Sequence, residues 1–347
     1  MSKVYENPFA WGQPVKDDNY IRRSEEEKQV LAAIDMKHSM AVSGNRGTGK
    51  TSLINAVLRQ ANAIPIMIDL RFVVGAESLA AVLMRSIQAS PSLPKKSEFK
   101  QLDIDSKGLL RTLFDMLYTI AESTDKALVL VWDEFHHLEK QKEDIITALY
   151  EGIGGRQGIT HLMLSHRHDF LYDTFNSSQR RFFKKCDFLM LGNMNSAEFG
   201  AYLTKRFRRM GLNDFDLASG ILVYSRGQPQ LTQKLAHAIA QLWLQGTTTQ
   251  LLNRAISKIL QEDHSIFAAR WDEFGVNEKR LITGLASGYS RPTELGFIKK
   301  FGLSATSTAH NTVLKLVREG WLINRDEGYN IYNPLFLQWV QNGIEGE

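Results

Sequence analysis

Short apolar runs alternate with longer amphipathic segments along the first two-thirds of the chain. The runs have the residue types of β-strands and lie at 39–42, 64–70, 127–132, 161–164 and 188–191. Between them, apolar residues recur at helical spacing, which predicts helices at 50–59, 77–88, 107–122 and 142–152. Because strands that alternate with helices usually form a parallel sheet covered on both faces, the pattern predicts an α/β fold.

From about residue 195 the β-type runs stop and helical patterns follow one another. These predicted helices lie at 197–210, 215–225, 230–245 and 250–269. After residue 275 come three more, at 277–286, 292–301 and 304–319, and a hairpin with strands at 321–324 and 329–332. This order is that of a winged helix-turn-helix, and Ser304 is a good N-cap for its third helix. We therefore expect an α/β core at 1–192, a helical unit at 193–274 and a winged helix at 275–347.

A phosphate-binding motif lies between the first predicted strand and the first predicted helix. The sequence GNRGTGKT fits the pattern G-x-x-x-x-G-K-[ST] at every fixed position. Glycines let backbone N–H groups approach phosphate oxygens, and the helix that begins near Lys50 directs its positive dipole end at the same anion. Lys50 is expected to meet the β- and γ-phosphates, and Thr51 to offer a hydroxyl to Mg²⁺. The predicted ATP-binding residues are Gly44, Asn45, Arg46, Gly47, Thr48, Gly49, Lys50, Thr51 and Ser52.

An acidic pair completes the predicted site. The apolar run at 127–132 ends in Asp133 and Glu134, and an unbroken apolar run suits a strand that is buried on both faces. Asp133 is expected to hold Mg²⁺ together with Thr51, and Glu134 to act as general base toward the attacking water. The next predicted strand ends in Ser165, which can touch the γ-phosphate or that water; a surface turn is the alternative.

Composition narrows the class of protein only slightly. The chain is 43% hydrophobic and 23% charged, with a formal net charge of +4, as in ordinary soluble globular proteins. Its apolar stretches are too short to span a membrane, and its N-terminus does not read as a signal peptide, so we expect a cytoplasmic protein with no membrane partner. Basic runs at 180–185 and 205–209 contain phenylalanines and permit contact with nucleic acid.

Several histidines lie close in sequence to the acidic pair or to Ser165. They are His136, His137, His161, His166 and His168. Their spacing matches no metal-ligand pattern, and the one cysteine of the sequence, Cys186, adds no support. We therefore expect ordinary loop and surface histidines.

The order of these motifs resembles the AAA+ superfamily of P-loop ATPases. The motifs are the P-loop, VWDE, LMLS and then RRFF before the last strand, followed by helices in the position of a lid. More narrowly, the chain resembles the archaeal-type ATPases, which are related to origin-recognition initiators and to STAND signalling ATPases. The resemblance implies an α/β P-loop NTPase sheet of AAA+ type, a helical lid and a C-terminal winged helix. It also implies ATP hydrolysis with Mg²⁺.

The same resemblance assigns residues outside the P-loop. The segment NPFAWGQPVKDDNYIRRSEEE is similar to the family's N-terminal segment, which implies that Ile21 and Arg23 lie near the adenine. In the lid, Gly227-Gln228-Pro229 resembles a G-x-P element that packs by the base, so Pro229 joins the nucleotide site. Gln230 stands where the initiators usually carry an arginine, which implies a slower switch; the alternative is that Lys234, one helical turn later, substitutes for that arginine.

The basic run before the last strand has two interpretations. Arg180 and Arg181 match the position of the arginine that reaches a neighbour's γ-phosphate in AAA+ assemblies, which implies a homo-oligomer in the ATP state. The alternative is a solvated or DNA-facing basic run.

Two functions therefore stay open. The first is a switch that assembles with ATP on double-stranded DNA, in initiation, transposition or mobile-element regulation. Polar residues at the start of the third winged-helix helix would face bases, with Lys299, Lys300, Lys315 and Arg318 near phosphates. The second is a STAND-like signalling or defence ATPase whose winged helix docks a protein partner.

Overall fold

The protein is described by a computed structural model that covers most of the chain. The described residues are 6–15, 17–90, 93, 106–141, 143–154, 158–177, 186–214 and 216–345. They form two compact units. One is the continuous segment Lys16–Gly192, and the other combines Asn193–Glu347 with the segment before Lys16.

A five-stranded parallel sheet forms the centre of the unit Lys16–Gly192. Its strands are β1 (Met40–Ser43), β2 (Ala63–Asp69), β3 (Ala127–Asp133), β4 (Ile159–Ser165) and β5 (Asp187–Met190). They lie in the order β2-β3-β4-β1-β5. Every position of β1 and β4 is buried, and β3 is buried except at its two ends. Burial on both faces explains the unbroken apolar runs of these strands in the sequence.

Helices cover both faces of this sheet. They are α1 (Ser24–Asp35), α2 (Lys50–Leu58), α3 (Ala76–Ala89), α4 (Ser106–Ser123), α5 (Glu143–Gly154) and α6 (His168–Asn176), with short 3-10 helices at Asp17–Asn19 and Phe135–Lys140. One core cluster includes Leu83, Leu117 and Trp132, and the other includes Val30, Ile54 and Leu164. The two clusters fix the sheet between its helical layers.

The order of the strands decides where the functional motifs meet. β4 lies between β1 and β3, with Ser43 paired to Ser165 and Trp132 paired to Met163. The carboxyl ends of these three parallel strands therefore lie side by side. This is the edge at which open α/β sheets commonly bind ligands.

The other unit is helical apart from one hairpin. Its helices are α7 (Ser196–Arg209), α8 (Leu217–Ser225), α9 (Pro229–Leu244), α10 (Leu251–Glu262), α11 (His264–Glu273), α12 (Val276–Ala286), α13 (Leu295–Phe301), α14 (Thr306–Arg318) and α15 (Pro334–Glu345). Strands β6 (Leu322–Arg325) and β7 (Gly328–Ile331) pair antiparallel after α14. The three helices and hairpin confirm the predicted winged-helix arrangement.

The N-terminal segment packs against this second unit. Asn7 donates from Nδ2 to the carbonyl of His237 at 2.9 Å, and Phe9 lies with its ring 4.7 Å from that of Phe207. Arg206 donates to the carbonyl of Pro8 and lies 4.6 Å from the ring of Tyr202. Arg206 is thus buried, which removes one cation from the basic run predicted at 205–209.

The fold class predicted from the sequence is confirmed, with differences in detail. The helix predicted at 250–269 is two helices that separate at Asp263. The predicted N-cap Ser304 is wrong, because the residue that precedes α14 is Ala305, which is extended, and α14 begins at Thr306. The Ser304 hydroxyl instead bonds to Oγ1 of Thr308 at 2.9 Å. The division into three domains stays a prediction.

None of the helices in the described part of the chain combines the length and the apolar character that a membrane crossing needs.

Candidate functional site

The P-loop runs from the end of β1 to the start of α2. Gly49 precedes α2 with φ 90°, a left-handed conformation that side chains rarely adopt. A Cβ on Gly44 would lie 2.6 Å from the carbonyl oxygen of Leu191, so close approach also requires glycine there. The turn that results places Lys50 at the first position of α2, where the N-terminal N–H groups and the helix dipole favour an anion.

Lys50 reaches back across this loop. Its Nζ donates to the carbonyl oxygens of Gly44 at 2.6 Å and Asn45 at 3.1 Å. Burial lowers the pKa of the Lys50 ammonium to about 8, although the carboxylates of Glu134 and Asp133 act in the opposite direction. The ammonium is therefore held inside the loop, beside the N-terminus of α2.

The structure brings Thr51 and Asp133 into contact. Thr51 donates from Oγ1 to Oδ2 of Asp133 at 3.1 Å, although the residues are far apart in sequence. Burial raises the pKa of Asp133 and the charge of Glu134 adds to it, while the Thr51 hydrogen bond acts against both. A hydroxyl and a carboxylate in contact are the oxygen ligands that P-loop NTPases use for Mg²⁺, so these two residues fit the ion.

Glu134 follows β3 in a strained backbone conformation. Its φ of 56° and ψ of 44° are left-handed, which is uncommon for residues other than glycine. Oε2 of its carboxylate lies 3.3 Å from Nδ1 of His136 and 3.3 Å from Nδ1 of His166. Burial raises the pKa of Glu134, but the hydrogen bond from His166 and the neighbouring basic groups, Lys50 among them, outweigh it and hold the pKa below its usual range. The carboxylate is therefore ionised at neutral pH.

His166 connects this carboxylate to the P-loop. Its ring is buried, and its Nε2 lies 3.4 Å from the guanidinium of Arg46. The ring of His136 is 4.1 Å from that of His166. Burial and the neighbouring His166 lower the pKa of His136, although the Glu134 carboxylate acts in the opposite direction. Sequence reasoning missed both contacts; the one available signal was the position of His166 directly after Ser165.

The expectation of loop and surface histidines is wrong for part of the group. His166 is buried, and His161 lies on β4 with no exposed surface. Trp132 donates from Nε1 to Nδ1 of His161 at 3.1 Å, and burial lowers the pKa of His161 to about 3. The reason is that β4 is covered on both faces, so its polar residues are enclosed as well.

Ser165 lies at the carboxyl end of β4, between the ends of β1 and β3. It is fully buried, unlike a residue of an exposed turn. Its Oγ accepts the N–H of Arg167 at 2.9 Å and lies 3.2 Å from Nδ1 of His136. Its contact with the γ-phosphate or the water stays a prediction.

Arg23 ties together three parts of this unit. Its guanidinium donates to the carbonyl oxygens of Thr48 at 3.0 Å and Gly192 at 2.9 Å, and it pairs with Glu26 at 3.3 Å. The segment before α1 is thereby fixed to the P-loop and to the chain that follows β5. Ile21 lies two residues earlier and is partly buried. Proximity of Ile21 and Arg23 to adenine stays a prediction.

For the remaining predicted residues, a place at the nucleotide stays a prediction. Arg180 and Arg181 lie outside the described residues. Pro229 begins α9 in the other unit, and its contact with the base stays a prediction. Beside it, Gln228 donates from Nε2 to the carbonyl of Tyr332 at 2.7 Å, and Arg226 donates to that of Ile331 at 2.9 Å. The G-x-P turn thus binds the winged-helix hairpin, which the sequence did not indicate.

Solved structures share this fold. A Walker-type ATPase of Pyrococcus abyssi superposes with a TM-score of 0.71 and 17% identity, over 94% of this chain and 97% of its own. The ORC2 protein of Aeropyrum pernix, in ADPNP–ADP complexes, gives a TM-score of 0.62 and 16% identity over 95% and 97%. The ORC1 protein of Aeropyrum pernix in complex with DNA gives 0.55 and 12% over 94% and 94%. At such identities these likenesses show the fold alone.

Family profiles cover nearly the whole chain. A search of curated protein sequences finds no significant match. A family described as "Novel STAND NTPase 1" matches residues 13–259, and one described as "Probable winged helix domain" matches residues 265–342. The predicted resemblance to P-loop ATPases with a C-terminal winged helix is thereby confirmed. With its P-loop on β1, its acidic pair on β3 and most of its length matched by one profile, the chain belongs to the Novel STAND NTPase 1 family.

Proposed function

We propose that this protein binds ATP with Mg²⁺ and hydrolyses it to ADP and phosphate. The observation that carries the proposal is the convergence of Lys50, Thr51, Asp133 and Glu134 at the carboxyl ends of β1 and β3, with Thr51 and Asp133 in contact at 3.1 Å. Lys50 binds the β- and γ-phosphates, and Thr51 and Asp133 hold Mg²⁺. Bound Mg²⁺ supplies charge neutralisation at the phosphate oxygens. Glu134 orients the water and accepts its proton.

Slow hydrolysis is part of the proposal. The hydrogen bond from His166 helps to hold the pKa of the Glu134 carboxylate below its usual range, and base strength falls with pKa, so Glu134 is a weaker proton acceptor than an ordinary glutamate. Contacts with His136 and His166 also hold Glu134 in place, so it must leave one or both to reach a water at the γ-phosphate. Gln230 stands at the position where origin-recognition initiators usually carry an arginine. Its presence is consistent with a slow switch rather than a fast motor.

We propose further that the winged helix binds double-stranded DNA. The start of α14 exposes short polar side chains, and Lys299 and Lys300 are exposed on the preceding helix α13. Lys315 forms an ion pair with Glu278, so its charge is partly neutralised and contributes less to phosphate binding than the sequence indicated. The ORC1 protein of Aeropyrum pernix, which shares this fold, is in complex with DNA. A modest cationic surface makes the affinity of one protomer low, so assembly with ATP is needed to multiply the contacts.

Fluorescence anisotropy of a labelled duplex tests DNA binding. It is measured with ATP, with ADP and without nucleotide, each at two salt concentrations. We expect tighter binding with ATP, and we expect Lys299→Ala to make the salt slope shallower by about 0.9, the share of a single phosphate neutralised by one lysine. Lys258→Ala on α10 is the matched control and should leave the slope unchanged. Absence of binding at low salt with a non-hydrolysable ATP analogue contradicts the DNA proposal.

A STAND-like signalling or defence function is the second candidate. It is favoured by the family match and by the bonds from Arg226 and Gln228 to the carbonyls of Ile331 and Tyr332. These bonds attach the winged-helix hairpin to the turn that carries the G-x-P element. In this function the winged helix docks a protein partner. A conformational change at the G-x-P turn alters how accessible the winged helix is to that partner. A negative DNA titration makes this function the leading one.

A further inference from the structure

Two imidazoles and a carboxylate converge beside the proposed catalytic centre. Glu134 follows β3, His136 lies in the 3-10 helix Phe135–Lys140, and His166 follows β4. One donor atom from each lies within 4.8 Å of the other two. Oε2 of Glu134 is 3.3 Å from Nδ1 of His136 and 3.3 Å from Nδ1 of His166. ATP hydrolysis as proposed needs only the carboxylate of this cluster.

The distances suit a tetrahedral metal ion. Metal–ligand bonds of about 2.0–2.1 Å place neighbouring ligand atoms roughly 3.3 Å apart in a tetrahedron. Both distances from Glu134 equal this value, and the donor atoms of the two imidazoles lie within 4.8 Å of each other. Two imidazole nitrogens, one carboxylate oxygen and an open fourth position are the ligands of many zinc sites.

The ligand types also separate this cluster from the proposed magnesium ligands. Mg²⁺ prefers oxygen atoms, as Thr51 and Asp133 provide, and it dehydrates reluctantly. Imidazole suits Zn²⁺ and the other late transition metals. The two sites therefore differ in the ion that each selects, although Asp133 and Glu134 are adjacent in the chain.

The neighbouring residues permit metal binding. A neutral imidazole that binds metal through Nδ1 carries its proton on Nε2, so Arg46 must leave Nε2 of His166, from which it is 3.4 Å. Arg46 is exposed, so its guanidinium can be hydrated when it leaves the ring. On the other side, Ser165 can release Nδ1 of His136 and still accept the N–H of Arg167 at 2.9 Å.

We propose that Glu134, His136 and His166 bind a divalent transition-metal ion of the Zn²⁺ class, and that the bound ion inhibits ATP hydrolysis. Inhibition follows because the ion occupies Oε2 of Glu134, and this part rests on the proposed role of Glu134 as general base. Nucleotide binding through Lys50 and Thr51 continues, since neither residue belongs to the cluster. The ion is thus a regulator of turnover and not a cofactor of it.

Direct metal binding tests the site independently of catalysis. Zn²⁺ is titrated calorimetrically into the full-length protein without nucleotide or Mg²⁺, and Co²⁺ serves as a probe whose visible absorption reports four-coordinate geometry. We expect one ion per chain, and affinity losses of about 10²-fold or more in His136→Ala, His166→Ala and Glu134→Gln, since even outer ligand partners contribute 10- to 100-fold. Circular dichroism checks that each variant is folded.

Two controls locate the ion. His38 is an exposed histidine 3.8 Å from the carboxylate of Asp187, and His38→Ala must leave the affinity unchanged. Asp133→Asn removes a proposed Mg²⁺ ligand and must have a smaller effect than His166→Ala. Binding that survives the loss of either histidine of the cluster, or that depends chiefly on Asp133 or His38, overturns the proposal.

The inhibitory part is tested by titrating Zn²⁺ into the ATPase assay with excess Mg²⁺. We expect inhibition that a chelator reverses, while a fluorescent ATP analogue stays bound. In His166→Gln the inhibitory Zn²⁺ concentration should rise at least about tenfold, whatever the basal rate of the variant. Zn²⁺ bound at the cluster without inhibition overturns this part. Failure of the proposed ATPase function is distinguishable, because it gives no turnover even without Zn²⁺ while the calorimetric result stands.

Discussion

Lys50 is the residue on which nucleotide affinity should depend most. Its ammonium is held at the P-loop by the carbonyl oxygens of Gly44 and Asn45, close to where phosphates would lie. We expect Lys50→Ala to weaken ATP binding tenfold or more, about 1.4 kcal/mol or above. Isothermal titration calorimetry measures the change, with Lys28→Ala, an exposed lysine of α1, as control. Unchanged affinity in Lys50→Ala would mean that this loop is not the nucleotide site.

Glu134→Gln separates binding from turnover. The amide keeps the size and most hydrogen bonds of the carboxylate but cannot accept a proton from water. We expect ATP affinity to persist and the hydrolysis rate to fall by about 10²-fold or more. Phosphate release under single-turnover conditions is the measurement, and Glu122→Gln, at an exposed position of α4, is the control. Equal rates in Glu134→Gln and wild type would remove Glu134 from the role of base.

The sequence predicted the site where residues follow directly from strands. Asp133 and Ser165 each lie at the end of an apolar run, and the P-loop that carries Lys50 follows another, so parallel strands bring all three to one edge of the sheet. The contacts of Glu134 with His136 and His166 could not be predicted in this way. They depend on the left-handed backbone of Glu134, which turns the chain after β3, and residue patterns do not indicate this conformation.

At the scale of helices, the packing of α12 on α13 requires a residue without a side chain, Gly284. A Cβ on Gly284 would overlap the ring of Phe297 and lie 2.9 Å from Phe301. We expect Gly284→Ala to destabilise the winged helix by about 1–3 kcal/mol, since rings in a packed core must shift. Thermal unfolding should show a lower Tm.

Gly296→Ala on α13 is the matched control for this change. No described heavy atom lies within 4 Å of an added Cβ there, and the residue is exposed. Alanine is favoured over glycine in a helix by roughly 0.5–1 kcal/mol, so this variant should be slightly more stable than wild type. Shifts of Tm in the same direction for both variants would contradict the packing argument.

Residue patterns predicted most of the strands and helices, and physical reasons explain why the others were missed. The five strands match their apolar runs to within two residues at either end. The break between α10 and α11 was missed, because no glycine or proline marks it. It lies at Asp263, whose carboxylate accepts from Nζ of Lys234 at 2.5 Å, a contact between distant parts of the sequence. The helices α6 and α15 were also missed.

At the scale of the whole molecule, hydrolysis should require neighbouring copies of the chain. If Arg180 or Arg181 reaches a neighbour's γ-phosphate, specific activity rises with protein concentration, and such an arginine contributes about 10³- to 10⁵-fold in rate. The double variant Arg180→Ala/Arg181→Ala should be inactive alone. Mixed with Glu134→Gln, it should recover activity. A site at which the double variant binds ATP beside a Glu134→Gln neighbour contains both an intact Glu134 and intact arginines. A flat concentration dependence without rescue would contradict this arrangement.

The division of the molecule into two units was only partly accessible from the sequence. The change from strands to helices near residue 195 agrees with the boundary at Asn193. The placement of the N-terminal segment with the later unit could not be foreseen. It rests on hydrogen bonds such as that from Asn7 to His237, and no local pattern reports a contact over such a separation.

The position of the N-terminal segment has a consequence for synthesis on the ribosome. Asn7 is made well before its partner His237, which follows 230 residues later. At about 5–20 residues per second, roughly 10–50 s pass between the two events. During this interval the segment Lys16–Gly192 has been synthesised completely and can fold. Phe9, which is buried in the folded protein, still has its ring exposed to water. Nascent chains of this protein should therefore hold a folded nucleotide unit beside an exposed apolar segment, which is a substrate for chaperones until α9 emerges.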